Sequence, residues 1–170
     1  MRFRVWLFAG ATVACGGGQL LGRTLAAANP EDGNPSGVTS RLAGTWIANI
    51  GRSTLDPSQP VRRAELLISA NGDAITLTRT DVDASGHEES TTSEFRADGR
   101  EHAISSEHAN LTRTVRWTAP LTLEKVDKAD GQVVGRATYQ LSADAKTLTA
   151  TVSGWNKKGP ISEVILFDRE

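Results

Sequence analysis

From residue 43 onward the chain is broken at short intervals by turn dipeptides: Asn71-Gly72, Ser85-Gly86, Asp98-Gly99, Asp130-Gly131 and Lys158-Gly159. Almost everything between them alternates. Ile75 and Leu77 alternate with Thr76 and Thr78, Val115 and Trp117 with Thr114 and Arg116, and Leu148, Ala150 and Val152 with Thr147, Thr149 and Thr151. Period-two alternation in segments rich in Thr, Val, Ile and Leu marks half-buried strands. It predicts strands near 43–50, 64–70, 74–82, 87–97, 100–106, 110–118, 120–127, 132–142, 147–154 and 160–169. No stretch after residue 28 has a helical apolar period of useful length. Several of these segments exceed the roughly five or six residues usual for sandwich strands, and most are joined by tight hairpins. The expected fold is all-β, an up-and-down antiparallel β-barrel of about 8–10 strands, which also removes exposed sheet edges.

Residues 1–28 stand outside this pattern. Arg2 and Arg4 precede an apolar run from Val5 to Ala14, and Ala26-Ala27-Ala28 supplies the small residues a signal peptidase cuts after. A secretory signal over 1–28 is therefore expected, followed by a flexible tether at 29–40 and a barrel domain at 41–170. The apolar run is shorter than the roughly 20 residues a spanning helix needs, so no integral membrane span is expected. In a second reading, Val13-Ala14-Cys15-Gly16 is a lipoprotein cleavage site: the leader is 1–14, and Cys15 carries a lipid anchor. Cys15 is the only cysteine, so in either case the domain has no disulfide and no thiol chemistry. Loss of 1–28 removes Arg2, Arg4 and Arg23 and no acid, taking the net charge from −1 to −4.

That charge, with a pI near 6.3, carries no electrostatic footprint for nucleic acid. Gly-x-Ser-x-Gly, a phosphate loop, His-Glu-x-x-His and Cys-x-x-Cys are all missing, and no motif requires a cofactor.

Gly44-Thr45-Trp46-Ile47-Ala48-Asn49, with Arg52-Ser53 and Pro57 after it, resembles the opening of uncharacterised secreted bacterial proteins with a lipocalin-like (calycin) fold. Asp83-Ala84-Ser85-Gly86-His87, Asp98-Gly99-Arg100 and Leu148 to Gly154 match further points, so the resemblance covers roughly residues 43–169. It implies a fold and no established activity. It also implies that Gly44 lets the backbone pass close to its neighbour and that Trp46 plugs one end of the barrel. Arg169 would then either cover Trp46 by a cation–π contact or stand in solvent. One departure is Asp144-Ala145-Lys146, where Asp-Gly-Lys is usual. The helix pair of fatty-acid-binding barrels does not fit the proline-rich 51–63 loop, and Phe167-Asp168-Arg169 does not reproduce their carboxylate-binding Arg-x-Tyr.

The metal-ligating potential of His87, His102 and His108 depends on the register of a two-residue hairpin expected at Asp98-Gly99. That hairpin sets Ala97 against Arg100, His102 against Phe95 and His108 against Glu89. His102 and His108 then lie on the order of 20 Å apart. His87, Glu89 and His108 share a face, but a solvated rim explains them better, and no metal site is expected.

Arg79 has the parity of Ile75 and Leu77, and Arg113 that of Leu111 and Val115. A core-facing arginine needs an anionic partner. That partner is either a ligand carboxylate or an internal one such as Asp81; otherwise both arginines lie at open ends and reach water. The expected function is an exported binding protein for a small, mostly apolar or amphipathic anionic molecule, lined by Arg79, Arg113, Trp117 and Tyr139. Two alternatives stay open: a barrel-type isomerase or cyclase using Arg79, His102, Glu124 and Tyr139, and a ligand-free structural domain with a filled interior.

Overall fold

A computed structural model of the chain describes residues 36–57, 60–104, 110–156 and 159–170. They form a short helix, α1 (Ser36–Leu42), and ten strands: β1 (Gly44–Ala48), β2 (Val61–Asn71), β3 (Ala74–Asp83), β4 (Glu88–Arg96), β5 (Glu101–Ile104), β6 (Leu111–Ala119), β7 (Thr122–Ala129), β8 (Gln132–Leu141), β9 (Thr147–Asn156) and β10 (Gly159–Arg169). All belong to one antiparallel sheet, ordered β4-β3-β2-β1-β10-β9-β8-β7-β6-β5. Every strand pairs with its sequence neighbours except β4 with β5, and the first and last strands meet at Trp46↔Arg169, Ile47↔Asp168 and Ala48↔Phe167. This is the up-and-down arrangement that the alternation predicts, curled around a single core.

Alternation decides what is buried. The inward rows contribute Leu66 and Ile68, Ile75 and Leu77, Leu148 and Ala150, and Ile165 and Phe167, each no more than 3% exposed. Threonine dominates the outward rows, where Thr78 and Thr92 share a hydrogen bond of 2.9 Å between strands.

Two expectations fail. The Asp98-Gly99 turn does not form a hairpin ladder: β4 pairs with β3 alone and β5 with β6 alone, so the two are the sheet's edges. His102 therefore lies opposite Arg113, not Phe95. The turn's backbone bonds go elsewhere, Ala97 N–H to the Asp73 carbonyl and Gly99 N–H to the Val115 carbonyl, at 2.7 and 2.9 Å. Asp98 instead accepts from the Arg100 N–H and the His102 ring. Second, residues 36–40 of the expected tether begin α1, which is too short for its periodicity to register in sequence. Its Thr39 and Leu42 are 3% and 2% exposed. Cys15, the leader and the rest of the tether lie outside the described residues.

Helix α1 packs against the barrel and sends Leu42 into its core. A helix leaves its last carbonyls without partners, and here the barrel supplies donors. The Trp46 Nε1–H donates to the Leu42 carbonyl at 3.0 Å. Arg169 donates through Nη1 to the Ala43 carbonyl at 2.9 Å, through Nη2 to the Arg41 carbonyl, and through Nε to the Ala145 carbonyl at 2.7 Å. Its guanidinium carbon stands 4.1 Å from the centroid of the Trp46 ring. Gly44 makes room for this arrangement: its φ is +139°, and a Cβ there would stand 2.7 Å from Arg169 Nη1.

Ala145 is left-handed, with φ of 56°, at the turn position where glycine is usual. An L-residue there costs about 1–2 kcal/mol, partly offset because glycine loses more entropy on folding. Ala145→Gly should therefore stabilise the protein by up to about 1 kcal/mol, read as a rise in thermal midpoint.

Candidate functional site

Polar residues occupy inward positions at the middle of the barrel. On β3 the row Ile75, Leu77 continues into Arg79 and Asp81, 7% and 9% exposed. On β7 it runs Leu123, Lys125, Asp127, at 1%, 4% and 1%. On β6 it includes Arg113, and on β10 Glu163 precedes Ile165 and Phe167. The arginines are thus interior rather than at a rim, and they have internal partners. Arg79 Nε donates to Asp81 Oδ1 at 3.0 Å, and its Nη1 lies 3.9 Å from Glu163 Oε2. Arg113 binds Asp127 with two bonds, 2.6 Å from Nε and 3.0 Å from Nη2. Lys125 Nζ stands 3.4 Å from the same carboxylate.

Burial pushes the Lys125 ammonium down to about 8; Asp127 opposes this shift and Arg113 adds to it. Burial pushes the Tyr139 hydroxyl up to about 12, against the pull of Arg79 and Arg113. Sequence reasoning missed Lys125, Asp127 and Glu163. Their parity with Leu123 and Ile165 was visible, but charged residues in a strand read by default as solvent-facing.

Leu66, Leu77, Ala150, Val152, Ile165 and Phe167 line a cavity with two polar residues, Arg79 and Tyr139. Its open volume is about 10 Å³, room for roughly one water molecule. Arg113 and the partly buried Trp117 do not line it. Ser93, opposite the cavity residue Leu77, is 1% exposed, and its Oγ has no hydrogen-bond partner among the described residues.

The four residues of the enzymatic alternative are not assembled. Glu124 faces outward, between Arg116 (3.0 Å) and Arg136. His102 sits on edge strand β5, 3.0 Å from Asp98. Burial would raise the Asp98 carboxyl, yet the bonds from His102 and the Arg100 N–H hold it below its usual value. His87 is exposed in a turn, its N–H donated to Asp83, and His108 lies outside the described residues.

No family model matches the chain, and no curated protein matches it. Among solved structures it is similar to a mutant of the fluorescent protein UnaG, with 16% identity, a TM-score of 0.53, and coverage of 77% of this chain and 97% of that one. It is similar to zebrafish ileal bile acid-binding protein complexed with cholic acid, at 14% identity and TM-score 0.50, covering 76% and 99%. A Schistosoma mansoni fatty-acid-binding protein in complex with arachidonic acid matches at 14% and 0.50, covering 78% and 98%. The chain thus shares the fold of these β-barrels.

Proposed function

We propose that the chain is an exported binding protein whose barrel holds one small, mostly apolar molecule with an acidic head group. The observation that carries this reading is the cavity: six apolar side chains and, at its polar side, Arg79 and Tyr139. The two arginines have different roles in it. Arg113 is tied to Asp127 through Nε and Nη2 and holds the wall. Arg79 faces the cavity, and its 3.9 Å contact with Glu163 is looser than its 3.0 Å contact with Asp81, so a ligand carboxylate competes there with Glu163. Ser93 Oγ, buried beside Leu77, offers a second polar contact.

Ligand pockets commonly measure about 300–1,000 Å³, so binding requires the walls to part. The small cavity also favours a second reading, a filled barrel without ligand. Titration of fatty and aromatic carboxylates, with matched alcohols as controls, separates the two. A hydrogen bond to a charged group contributes about 1.5–3 kcal/mol, so Arg79→Met should weaken the carboxylates by roughly 10- to 150-fold and leave the alcohols nearly unchanged. Wild type binding none of them would support the filled barrel.

Export rests on the charged, apolar and small-residue order of residues 1–28. N-terminal sequencing of protein from the native host should find a start near Asn29, or a lipidated Cys15. Intact chain beginning at Met1 in the cytosol would contradict both.

A further inference from the structure

Charge inside the barrel is not spread evenly along the strands. At one end, beside α1, β1 starts and β10 stops. On β3, Ile75 and Leu77 stand nearer that end, and Arg79 and Asp81 farther from it. The order repeats on β7, with Leu123 before Lys125 and Asp127, and on β6, with Val115 before Arg113. On β10, Phe167 and Ile165 lie nearer α1 than Glu163 does. The interior is therefore apolar toward α1 and charged toward the opposite end. Polar groups that do lie toward α1 are engaged: Trp46 by the Leu42 carbonyl, Arg169 by the carbonyls of Arg41, Ala43 and Ala145, and His102 by Asp98. The cavity straddles the boundary. Arg79 lines it on the charged side, and Leu77 and Phe167 line it on the apolar side. Tyr139 belongs to the charged side, since Arg79 and Arg113 both act on its hydroxyl. On β10, Phe167 is the last lining residue before Arg169 and the Trp46 ring beneath it.

We propose that the site takes single-headed acids in one orientation: the carboxylate at Arg79, the apolar tail directed toward α1, and Phe167 setting the length of tail that fits. The inference rests on the binding reading above and narrows its ligand class. A tail that ends among Phe167, Leu148 and Trp46 meets hydrocarbon, each of these side chains being no more than 1% exposed. A hydroxyl or a second carboxylate at that tail end loses its water and meets donors already committed elsewhere, which is costly. The reverse orientation is worse at both ends. It would place the carboxylate in the apolar half and lay the tail against Asp81 and Glu163, burying charge against hydrocarbon twice. The site therefore discriminates against acids with a polar group at the far end, and accepts those whose tails are apolar throughout.

Calorimetric titration of the wild type with decanoic, ω-hydroxydecanoic and decanedioic acids reads the orientation. The ω-hydroxyl should weaken binding by roughly 5- to 150-fold, the range for burying an unpaired polar group, and the second carboxylate by more. Equal binding of decanoic and ω-hydroxydecanoic acids would put the tail end in water and overturn the orientation, while the binding reading stands. A series from hexanoic to hexadecanoic acid, titrated into wild type and Phe167→Leu, tests the floor. Phe167→Leu should move the preferred length upward. The acid one methylene longer than the wild-type optimum should gain about fourfold relative to that optimum, the worth of one buried methylene. Arg79→Met should weaken every length alike and leave the optimum in place. An unmoved optimum in Phe167→Leu, with the variant shown to be folded by circular dichroism, overturns the role of Phe167. The ω-substituted acids need no variant, so the orientation is decided even where Phe167→Leu fails to fold. Wild type binding no acid of any length overturns the binding reading and this inference together.

Discussion

Asp127→Ala should lose about 3–5 kcal/mol of folding stability, the range for removing one partner of a buried ion pair. Asp127 is 1% exposed and is the carboxylate that Arg113 and Lys125 share. Without it Arg113 keeps its charge with no counter-ion at hand, while Lys125 escapes by deprotonation. Urea denaturation measures the loss. Asp127→Leu combined with Arg113→Met removes both charges and should recover a large part of it, since apolar replacement of a buried pair is often close to neutral. The same cluster sets a pH dependence. Lys125 titrates near 8 when folded and near 10.4 when unfolded. Between those values the unfolded chain holds the extra proton, so stability rises with pH, by a few kcal/mol in all. Tyr139 acts in the opposite sense: it titrates near 10 unfolded and near 12 folded, so its contribution is lost as pH rises from 10 to 12. The two together place a maximum near pH 10, and in Lys125→Met the rise from pH 8 should vanish.

Trp46→Ala should cost about 3–5 kcal/mol, as for other large buried aromatics. Its ring is fully buried, stacks under Arg169 and ties α1 to the barrel through the Leu42 carbonyl. Trp46→Phe keeps most of the ring's packing and removes only the N–H, and should cost about 1–3 kcal/mol for the unsatisfied carbonyl. If both variants unfold at the wild-type urea midpoint, the closed end contributes nothing to stability.

The strands were legible because alternation follows from one-sided burial, and a curled sheet buries one side of every strand. The β1–β10 pairing was legible for the same reason: an up-and-down meander that curls must bring its ends together. The Asp98-Gly99 turn was misread. Asp-Gly after a strand normally signals a hairpin, but Asp98 spends its carboxylate on Arg100 N–H and His102, and Ala97 and Gly99 bond to Asp73 and Val115. Asp73 and Val115 are distant in sequence, so no local signal marks them as the partners of the turn's backbone. Helix α1 was missed because a helix this short cannot show a 3.6-residue period. At the interior, parity placed Arg79 and Arg113 on core faces and named Asp81 as a partner for Arg79. It could not rank that pairing against rim exposure, since the cost of burying a charge depends on partners from other strands. Lys125 and Asp127 carry the same parity signal within Leu123-Glu124-Lys125-Val126-Asp127. They became readable only once Arg113 was seen across the β6–β7 ladder.

Native mass spectrometry of the protein purified from its own host tests the binding account most directly. The account predicts a species heavier than the bare chain by one small molecule, which denaturation releases as an apolar acid and which Arg79→Met largely lacks. Bare chain mass for wild type, together with no carboxylate binding in titration, would contradict it and leave a barrel filled by its own side chains.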